Sequence, residues 1–387
     1  MRRLALALLL AVSAPCLAES EGEALQRAFI EAMQAQEAGD LAHAESAFRD
    51  LLKATNAPRV KLELARTLYL EGKYAEAKPL FSEVSKQADT PWRVRDNIAH
   101  FVRDIEERTG YLKFGMTVVT DSNPRSLAAQ KEFAIGDLRV TPTEAPQKMH
   151  GLRYSARGWL PLEPIGGAGY LAASYADYPG EEFDRLTLDV GGVKNLTSSG
   201  RIRVKPGMEF GAFGGHRLYR FPYIGLDAVL AETNTSRLTG ELKVGKVKFA
   251  DFGYLDATNT SAAVSARKLV SSNATVTLSA SLENSSAKER PYSYYGWDLG
   301  PGIDSFWPEW TLMVGARASV GSRQYAATDP MFGERRVDTK RRLELSVGNK
   351  RWRWRDHDVS LVASLERNNS SIGFYSYRKT NVSVVVE

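Results

Sequence analysis

The residues that could carry out chemistry in this chain are few and far apart. The chain has five histidines, and no two of them stand at the spacing of paired metal ligands. These are His43, His100, His150, His216 and His357. We therefore expect no metal site and no cofactor.

Nucleophilic catalysis has little more support. The sequence contains no Gly-x-Ser-x-Gly elbow. Asp356-His357-Asp358 suggests a fragment of a triad, but it follows the basic run Lys350–Arg355, which favours a turn cap. A hydrolase of the phospholipase type would need a serine and a histidine close in space, and the sequence leaves that alternative open. We expect a protein that is not an enzyme.

The N-terminus has the pattern of a secretory signal. Arg2 and Arg3 precede the apolar run Leu4–Val12, and Cys16-Leu17-Ala18 is a small-x-small cleavage site. Residues 1–18 are predicted to be removed, which would leave no cysteine. A lipoprotein anchored at Cys16 is the alternative, and Pro15 disfavours it because a lipobox needs a small, flexible residue there.

The charge divides between two parts of the chain. The whole chain carries a formal net charge of +5, while residues 19–110 carry −4, from 13 basic and 17 acidic residues. The remainder from Tyr111 onward is basic. Because the signal exports the chain away from nucleic acid, we expect no nucleic-acid partner and assign this charge to a lumen or a membrane-facing rim.

Residues 19–109 are predicted to form a helical-repeat domain in the periplasm. Six positions recur 33 residues later, five with the same residue and one with tyrosine in place of leucine. Small alanines, an aromatic plug, a helix-ending glycine and a helix-closing proline suit a tetratricopeptide-like repeat. The first set is Gly39, Leu41, Ala42, Ala44, Phe48 and Pro58, and the second is Gly72, Tyr74, Ala75, Ala77, Phe81 and Pro91. Trp92–Arg108 would be the closing helix. Such a domain either binds a partner or serves as a spacer.

From residue 110 to residue 387 the hydrophobic period is two. Arg185, Thr187 and Asp189, for example, interleave with Leu186, Leu188 and Val190. A soluble sandwich and an outer-membrane barrel share this alternation, but three features favour the barrel. The predicted strands are long, at about ten to fourteen residues. Aromatic residues cluster at their ends, and about fourteen strands can be counted, an even number.

The loop lengths predict the direction of the strands. With the helical domain in the periplasm, the first strand runs outward and the odd-numbered loops lie outside. The longer connections then fall outside, at 121–148, 286–292 and 324–334, and the tight ones fall inside, at 195–199, 232–234 and 271–272. The expected location is the outer membrane of a Gram-negative cell.

Several segments together resemble the surface lipoprotein assembly modifiers, the outer-membrane component of type XI secretion. Besides the signal and the short repeat domain, the segments are Asp121-Ser122-Asn123-Pro124, Arg355–Asp358, Asn368–Ser370 and Tyr375–Lys379. The resemblance implies a fourteen-stranded barrel behind a periplasmic repeat domain. It also implies that lipoproteins, or soluble relatives, are moved to the cell surface. The partners expected are this cargo, outer-membrane lipids, the barrel-assembly machinery and periplasmic chaperones.

Two other functions stay open, an exopolysaccharide export barrel and a passive porin. For any of the three, the alternation points a set of arginines into the lumen, where they would make an electropositive path. These are Arg185, Arg201, Arg203, Arg237 and Arg317. The alternative is that they pair with Asp189 and Glu241 and brace the wall.

Overall fold

The computed structural model describes residues 21–87, 90–128, 130–135, 138–162, 166–355 and 357–386. The predicted signal, residues 1–18, lies outside this range. The chain divides into two compact units, Met1–Val84 and Ser85–Glu387. The first is helical in its described part, and the second contains a closed β-barrel.

Four helices form the described part of the first unit: α1 (Glu21–Ala38), α2 (Leu41–Thr55), α3 (Pro58–Leu70) and α4 (Tyr74–Lys86), which runs two residues past the unit boundary. The predicted repeat residues lie at its centre, since Ala44, Phe48, Ala77 and Phe81 are fully buried. Gly39 and Gly72 end α1 and α3 with positive φ angles of 82° and 77°. An L side chain rarely adopts this conformation, which explains glycine at both positions. Tyr74, the remaining signature residue, opens α4 with its ring 5.8 Å from that of Tyr69.

The repeat prolines were predicted to close a helix, and they stand at the start of one instead. Pro58 is the first residue of α3, and Pro91 is the N-cap of α5 (Trp92–Thr109), so each begins the next helix instead of closing the previous one. The fixed φ of proline and its missing N–H suit a first turn.

A charged cluster ties the second helix to the turn that follows α3. Lys73 and Arg49 both donate to the carboxylate of Glu45, at 2.6 and 2.8 Å. The hydrogen bond from Lys73, with the contribution of Arg49, lowers the pKa of Glu45 to about 2. Glu45 is therefore ionised at any physiological pH and holds the two parts of the repeat together.

The fifth helix, α5, belongs to the compact unit of the barrel. The sequence grouped it with the repeat helices. Ile98 and Ile105 of its predicted apolar stripe are buried. None of the helices in the described ranges is long and apolar enough to cross a membrane.

Fourteen antiparallel strands close the barrel, as the sequence predicted. They are β1 (Tyr111–Asp121), β4 (Met149–Leu162), β5 (Gly167–Asp177), β6 (Arg185–Asn195), β7 (Ile202–Phe213), β8 (His216–Glu232), β9 (Ser236–Phe249), β10 (Ala257–Ser271), β11 (Ala274–Ala287), β12 (Tyr294–Trp307), β13 (Leu312–Thr328), β14 (Arg335–Trp354), β15 (His357–Ser370) and β16 (Tyr377–Val386). Each strand pairs with the strands before and after it in this list, and β1 pairs with β16 to close the circle. A separate hairpin, β2 (Phe133–Ile135) and β3 (Leu138–Val140), stands between β1 and β4.

Apolar residues face outward along every second position. On β15, for example, Leu361 and Leu365 are about half exposed, whereas Ser364 and Glu366 between and beside them are less exposed. A surface of exposed leucine and valine is stable against lipid and costly against water. The polar positions therefore face the lumen.

The two rims of the barrel differ in their connections. We call the rim where α5 leads into β1 the near rim and the opposite one the distal rim. The near-rim connections are short, such as 272–273 between β10 and β11. The distal rim carries the longest connection, residues 122–148, and also one two-residue turn, Gly214-Gly215, in which both φ angles are positive.

Candidate functional site

Helix α5 lies across the mouth of the barrel at the near rim. It contacts lumen-facing residues near the near-rim ends of β4, β7, β10 and β12, which stand far apart around the circle. Its 18 residues give a length of about 27 Å. Over this length it reaches from Arg203 on β7 to Arg267 on β10 and Phe306 on β12.

Ion pairs hold both ends of the helix to the wall. Near its start, Asp96 accepts from Arg267 of β10 at 3.0 Å. Near its end, Glu107 accepts from Arg203 of β7 at 3.0 Å. Each partner is about one quarter to two fifths exposed, so solvent weakens each pair to about 0.2–1 kcal/mol. A modest competing interaction can therefore break either ion pair.

Two further contacts fix the orientation of α5. The indole Nε1 of Trp159 donates to the backbone oxygen of Glu107 at 2.9 Å. At the other end, the guanidinium of Arg95 stacks over the ring of Phe306 at 4.2 Å, and both residues are buried. The acids of α5 were not predicted as site residues, because a helical period does not say which wall a helix faces.

The lumen beyond α5 contains open space. One cavity of about 770 Å³ is lined by residues of eight strands on both sides of the junction between β1 and β16, among them Arg157, Asp189 and Arg342. A second, of about 350 Å³, lies nearer α5 and is lined by Arg203, Arg237 and others. Charged and hydroxyl side chains line both, which indicates a wet interior.

One part of the lumen wall is built from tyrosines that lie against glycines. Tyr223 donates to both oxygens of Asp189, at 2.8 and 2.9 Å, and its hydroxyl is 2.5 Å from that of Tyr170. A Cβ on Gly207 would lie 2.3 Å from the Tyr170 hydroxyl and 2.6 Å from the Tyr223 ring. The rings can therefore lie flat only because this position carries no side chain.

Three of the five predicted lumen arginines share one region. Arg201, Arg203 and Arg237 line the smaller cavity. Arg203 pairs with Glu107 of α5, and Arg237 pairs with Glu232 at 3.6 Å.

The other two arginines lie elsewhere. Arg185 is at the distal rim, where it donates to the backbone oxygen of Pro124 at 3.1 Å. Arg317 binds Asp304 at 2.9 Å and approaches Glu344 at 3.6 Å.

The acids observed with these arginines differ from the ones that the sequence offered. Asp189 accepts from tyrosines, and the arginine partners are Glu107, Glu232, Asp304 and Glu344. Strand register decides these pairs, and residue types alone do not determine register. That the five arginines set the charge of a transport path stays a prediction.

Of the segment Asp356-His357-Asp358, Asp356 lies outside the described residues. Within the described ranges, no three His, Cys, Asp or Glu residues are placed to hold a metal ion. Asp358 accepts from Lys350 at 2.9 Å, and Arg353 is 3.8 Å away. This is an ion-pair role at the near rim.

The distal loops share a local structure that the sequence did not reveal. Four contain a short 3₁₀ turn followed by an Asp or Ser whose side chain accepts from a backbone N–H six or seven residues earlier. The acceptors are Asp184, Asp256, Ser293 and Ser376. Beside the last of these, burial and the Asp329 carboxylate raise the pKa of Tyr375, which donates to Asp329 at 2.9 Å. These loops are closed by their own hydrogen bonds.

The closed antiparallel barrel, its even strand number and its apolar outward face define the second unit as a membrane β-barrel of the outer-membrane type. The sequence profile described as Surface lipoprotein assembly modifier matches residues 167–387, more than half of the chain. The chain belongs to this family. No curated protein sequence matches it.

Solved outer-membrane barrels resemble the chain only loosely. A loop-deletion mutant of OmpT of Vibrio cholerae is 8% identical, with 72% of this chain and 99% of that chain covered and a TM-score of 0.38. An anion-selective porin from Comamonas acidovorans is 10% identical, with 72% and 98% covered and a TM-score of 0.37. A bacterial polysaccharide outer membrane secretin is 11% identical, with 70% and 97% covered and a TM-score of 0.37. Scores this low do not indicate a function.

Proposed function

We propose that this chain moves a lipoprotein, or a related secreted protein, from the periplasm to the cell surface. In this proposal the barrel is the path and α5 is its gate. The position of α5 across the near mouth carries the proposal, because a translocator with a wet lumen must be closed when no cargo is present. Membership of the surface lipoprotein assembly modifier family supports lipoprotein as the cargo class.

The energetics of the gate suit a cargo-driven opening. Two ion pairs of about 0.2–1 kcal/mol each hold α5 at its ends. An incoming chain that competes for Arg203 and Arg267 breaks these two pairs, and it also has to replace the contacts of Trp159 and of Arg95 with Phe306 before the helix shifts. No nucleotide is needed for that step.

The repeat helices are assigned the task of engaging cargo or a chaperone in the periplasm. Their buried signature residues make a rigid unit, as repeat domains that bind partners require. We also propose that the chain is not an enzyme, since its charged side chains serve ion pairs and the lumen wall.

The test is to tether α5 to the wall. Asp96→Cys and Arg267→Cys place thiols where an ion pair stands, and a cleavable bifunctional thiol reagent can join them. We expect surface display of a co-expressed lipoprotein to stop after tethering and to return after a reductant cleaves the tether. Each single cysteine variant, treated in the same way, is the control. Display that continues with α5 tethered contradicts the proposal, and free passage of small solutes in that state would favour a passive porin.

A further inference from the structure

The outward face of the barrel carries a row of three arginines near the distal rim. Arg341 of β14 stands directly opposite Arg367 of β15, and Arg367 stands directly opposite Arg378 of β16. Directly opposed residues point to the same face, with Cβ atoms about 4.5–5.5 Å apart. All three side chains are exposed. Three positive charges therefore lie side by side across three neighbouring strands.

The row borders the apolar surface of the barrel. On the same outward face, the next residues toward the near rim are Leu343 on β14 and Leu365 on β15. They stand opposite each other, and the two residues are 42% and 54% exposed. Two residues along a strand span about 7 Å. The arginines thus lie one step above the apolar band, at the level where lipid headgroups begin.

The guanidinium groups of this row have no acidic partner in the described part of the chain. Among the residues that the structure describes, no carboxylate contacts the three guanidinium groups, and Arg367 Nε donates to Asn369 Oδ1 at 2.8 Å. Arginines that face the lumen differ, as Arg317 pairs with Asp304 and Arg323 with Glu283. Like charges directly opposite each other destabilise a sheet, and an anion from outside the chain would relieve this repulsion.

A second basic group lies near the same rim on the other side of the barrel. Arg220 of β8 stands opposite Lys248 of β9, and Lys246 is two residues along β9 on the same face. All three are exposed. Near the near rim, Lys194 opposes Gly167 and Val204, and Lys268 opposes Ser236 and Val276, so neither lysine stands opposite another base.

We propose that Arg341, Arg367 and Arg378 form a binding site for the phosphate groups of a phosphorylated glycolipid in the leaflet around the distal rim. Guanidinium groups bind phosphate oxygens in a bidentate manner, and clustered bases near a membrane surface attract anionic headgroups. Thr339 and Asn369 form the next outward pair toward the rim and offer a hydroxyl and an amide to sugar groups. The choice of a glycolipid rests on the proposed function, in which the distal rim faces the cell exterior.

Lipid binding to the purified, full-length protein in nonionic detergent tests the site. The variant R367Q/R378Q removes two outward charges from the row, and K194Q/K268Q removes two outward charges near the near rim as a matched control. With purified lipid A as the probe, native mass spectrometry and titration should show binding to wild type and control, and binding about tenfold weaker in R367Q/R378Q. Equal binding by both variants would overturn the site.

Thermal unfolding gives an independent measurement. Without lipid, R367Q/R378Q should unfold at the same temperature as wild type or a higher one, because like-charge repulsion is removed. Lipid A should stabilise wild type more than the variant. A lower unfolding temperature without lipid would make the arginines structural and overturn the proposal.

Two further probes separate lipid from free anion. Inorganic phosphate and a dephosphorylated glycolipid should each fail to reproduce the effect of lipid A. If phosphate alone reproduces it, the site binds a free anion and the lipid assignment is wrong. Lipoprotein display is measured separately, so a barrel that binds lipid A without displaying cargo contradicts the proposed function and leaves this site in place.

Discussion

At the scale of single residues, glycines on the lumen wall decide whether the tyrosine cluster can form. Tyr170 and Tyr223 cannot move away freely, because Asp189 accepts from the hydroxyl of Tyr223 and the two phenols are in contact. Gly207 lies under both rings. A methyl group at position 207 would have to displace Tyr170 and Tyr223, which are held by hydrogen bonds and cannot simply rotate away.

We therefore expect Gly207→Ala to lower the stability of the barrel by about 1–3 kcal/mol, the usual cost of overpacking. The measurement is the temperature at which the folded form in detergent converts to the unfolded form in an electrophoresis shift. Gly169→Ala is the control, because the nearest atom to a Cβ there is 3.9 Å away. Equal transition temperatures for the two variants would show that the tyrosine wall does not depend on Gly207.

At the scale of elements, α5 lies across the near mouth, and the repeat helices precede it in the chain. Deletion of residues 92–109 should open the lumen, and deletion of residues 21–84 should leave α5 in place. Planar-bilayer recordings should therefore show a larger conductance for the first deletion and a conductance close to that of the full chain for the second. Removing α5 also frees Arg203 and Arg267 from their acids, so the open pore should favour anions. A pore of unchanged conductance without α5 would contradict its role as a gate.

The elements were largely predictable from sequence, and their partners were not. Period-two alternation predicted fourteen strands, because successive side chains of a barrel strand face the lipid and the lumen in turn. The short hairpin β2–β3 was missed, since three-residue strands carry too few residues for a period. The contacts of α5 with the barrel join residues far apart in the chain, such as Glu107 and Arg203, 96 positions apart. The arginine row depends on strand register. Neither is a property of a local pattern.

At the scale of the whole molecule, the even strand number puts both ends of the barrel, the start of β1 and the end of β16, at the near rim. If α5 and the repeat helices are periplasmic, protease added to intact cells should cut only distal loops. Four of these loops are closed by Asp or Ser caps, which disfavour cleavage, so the first cuts should fall within residues 122–148. Cleavage at 196–201 or 272–273 in intact cells would show that the barrel has the opposite orientation.

The seam between β1 and β16 also determines when the barrel can exist. Every other pair of neighbouring strands joins segments that are consecutive in the barrel, but Met116 finds its partner only at Val386. Pairing β1 with β16 closes a loop of almost the whole barrel sequence, and the chain loses conformational entropy when it forms. Closure is therefore the slow, late step of assembly. Until the last ten residues arrive, β1 and the growing end both expose unpaired backbone that can pair with another chain. Aggregation before closure, more than unfolding after it, is thus the hazard that this architecture imposes on the cell.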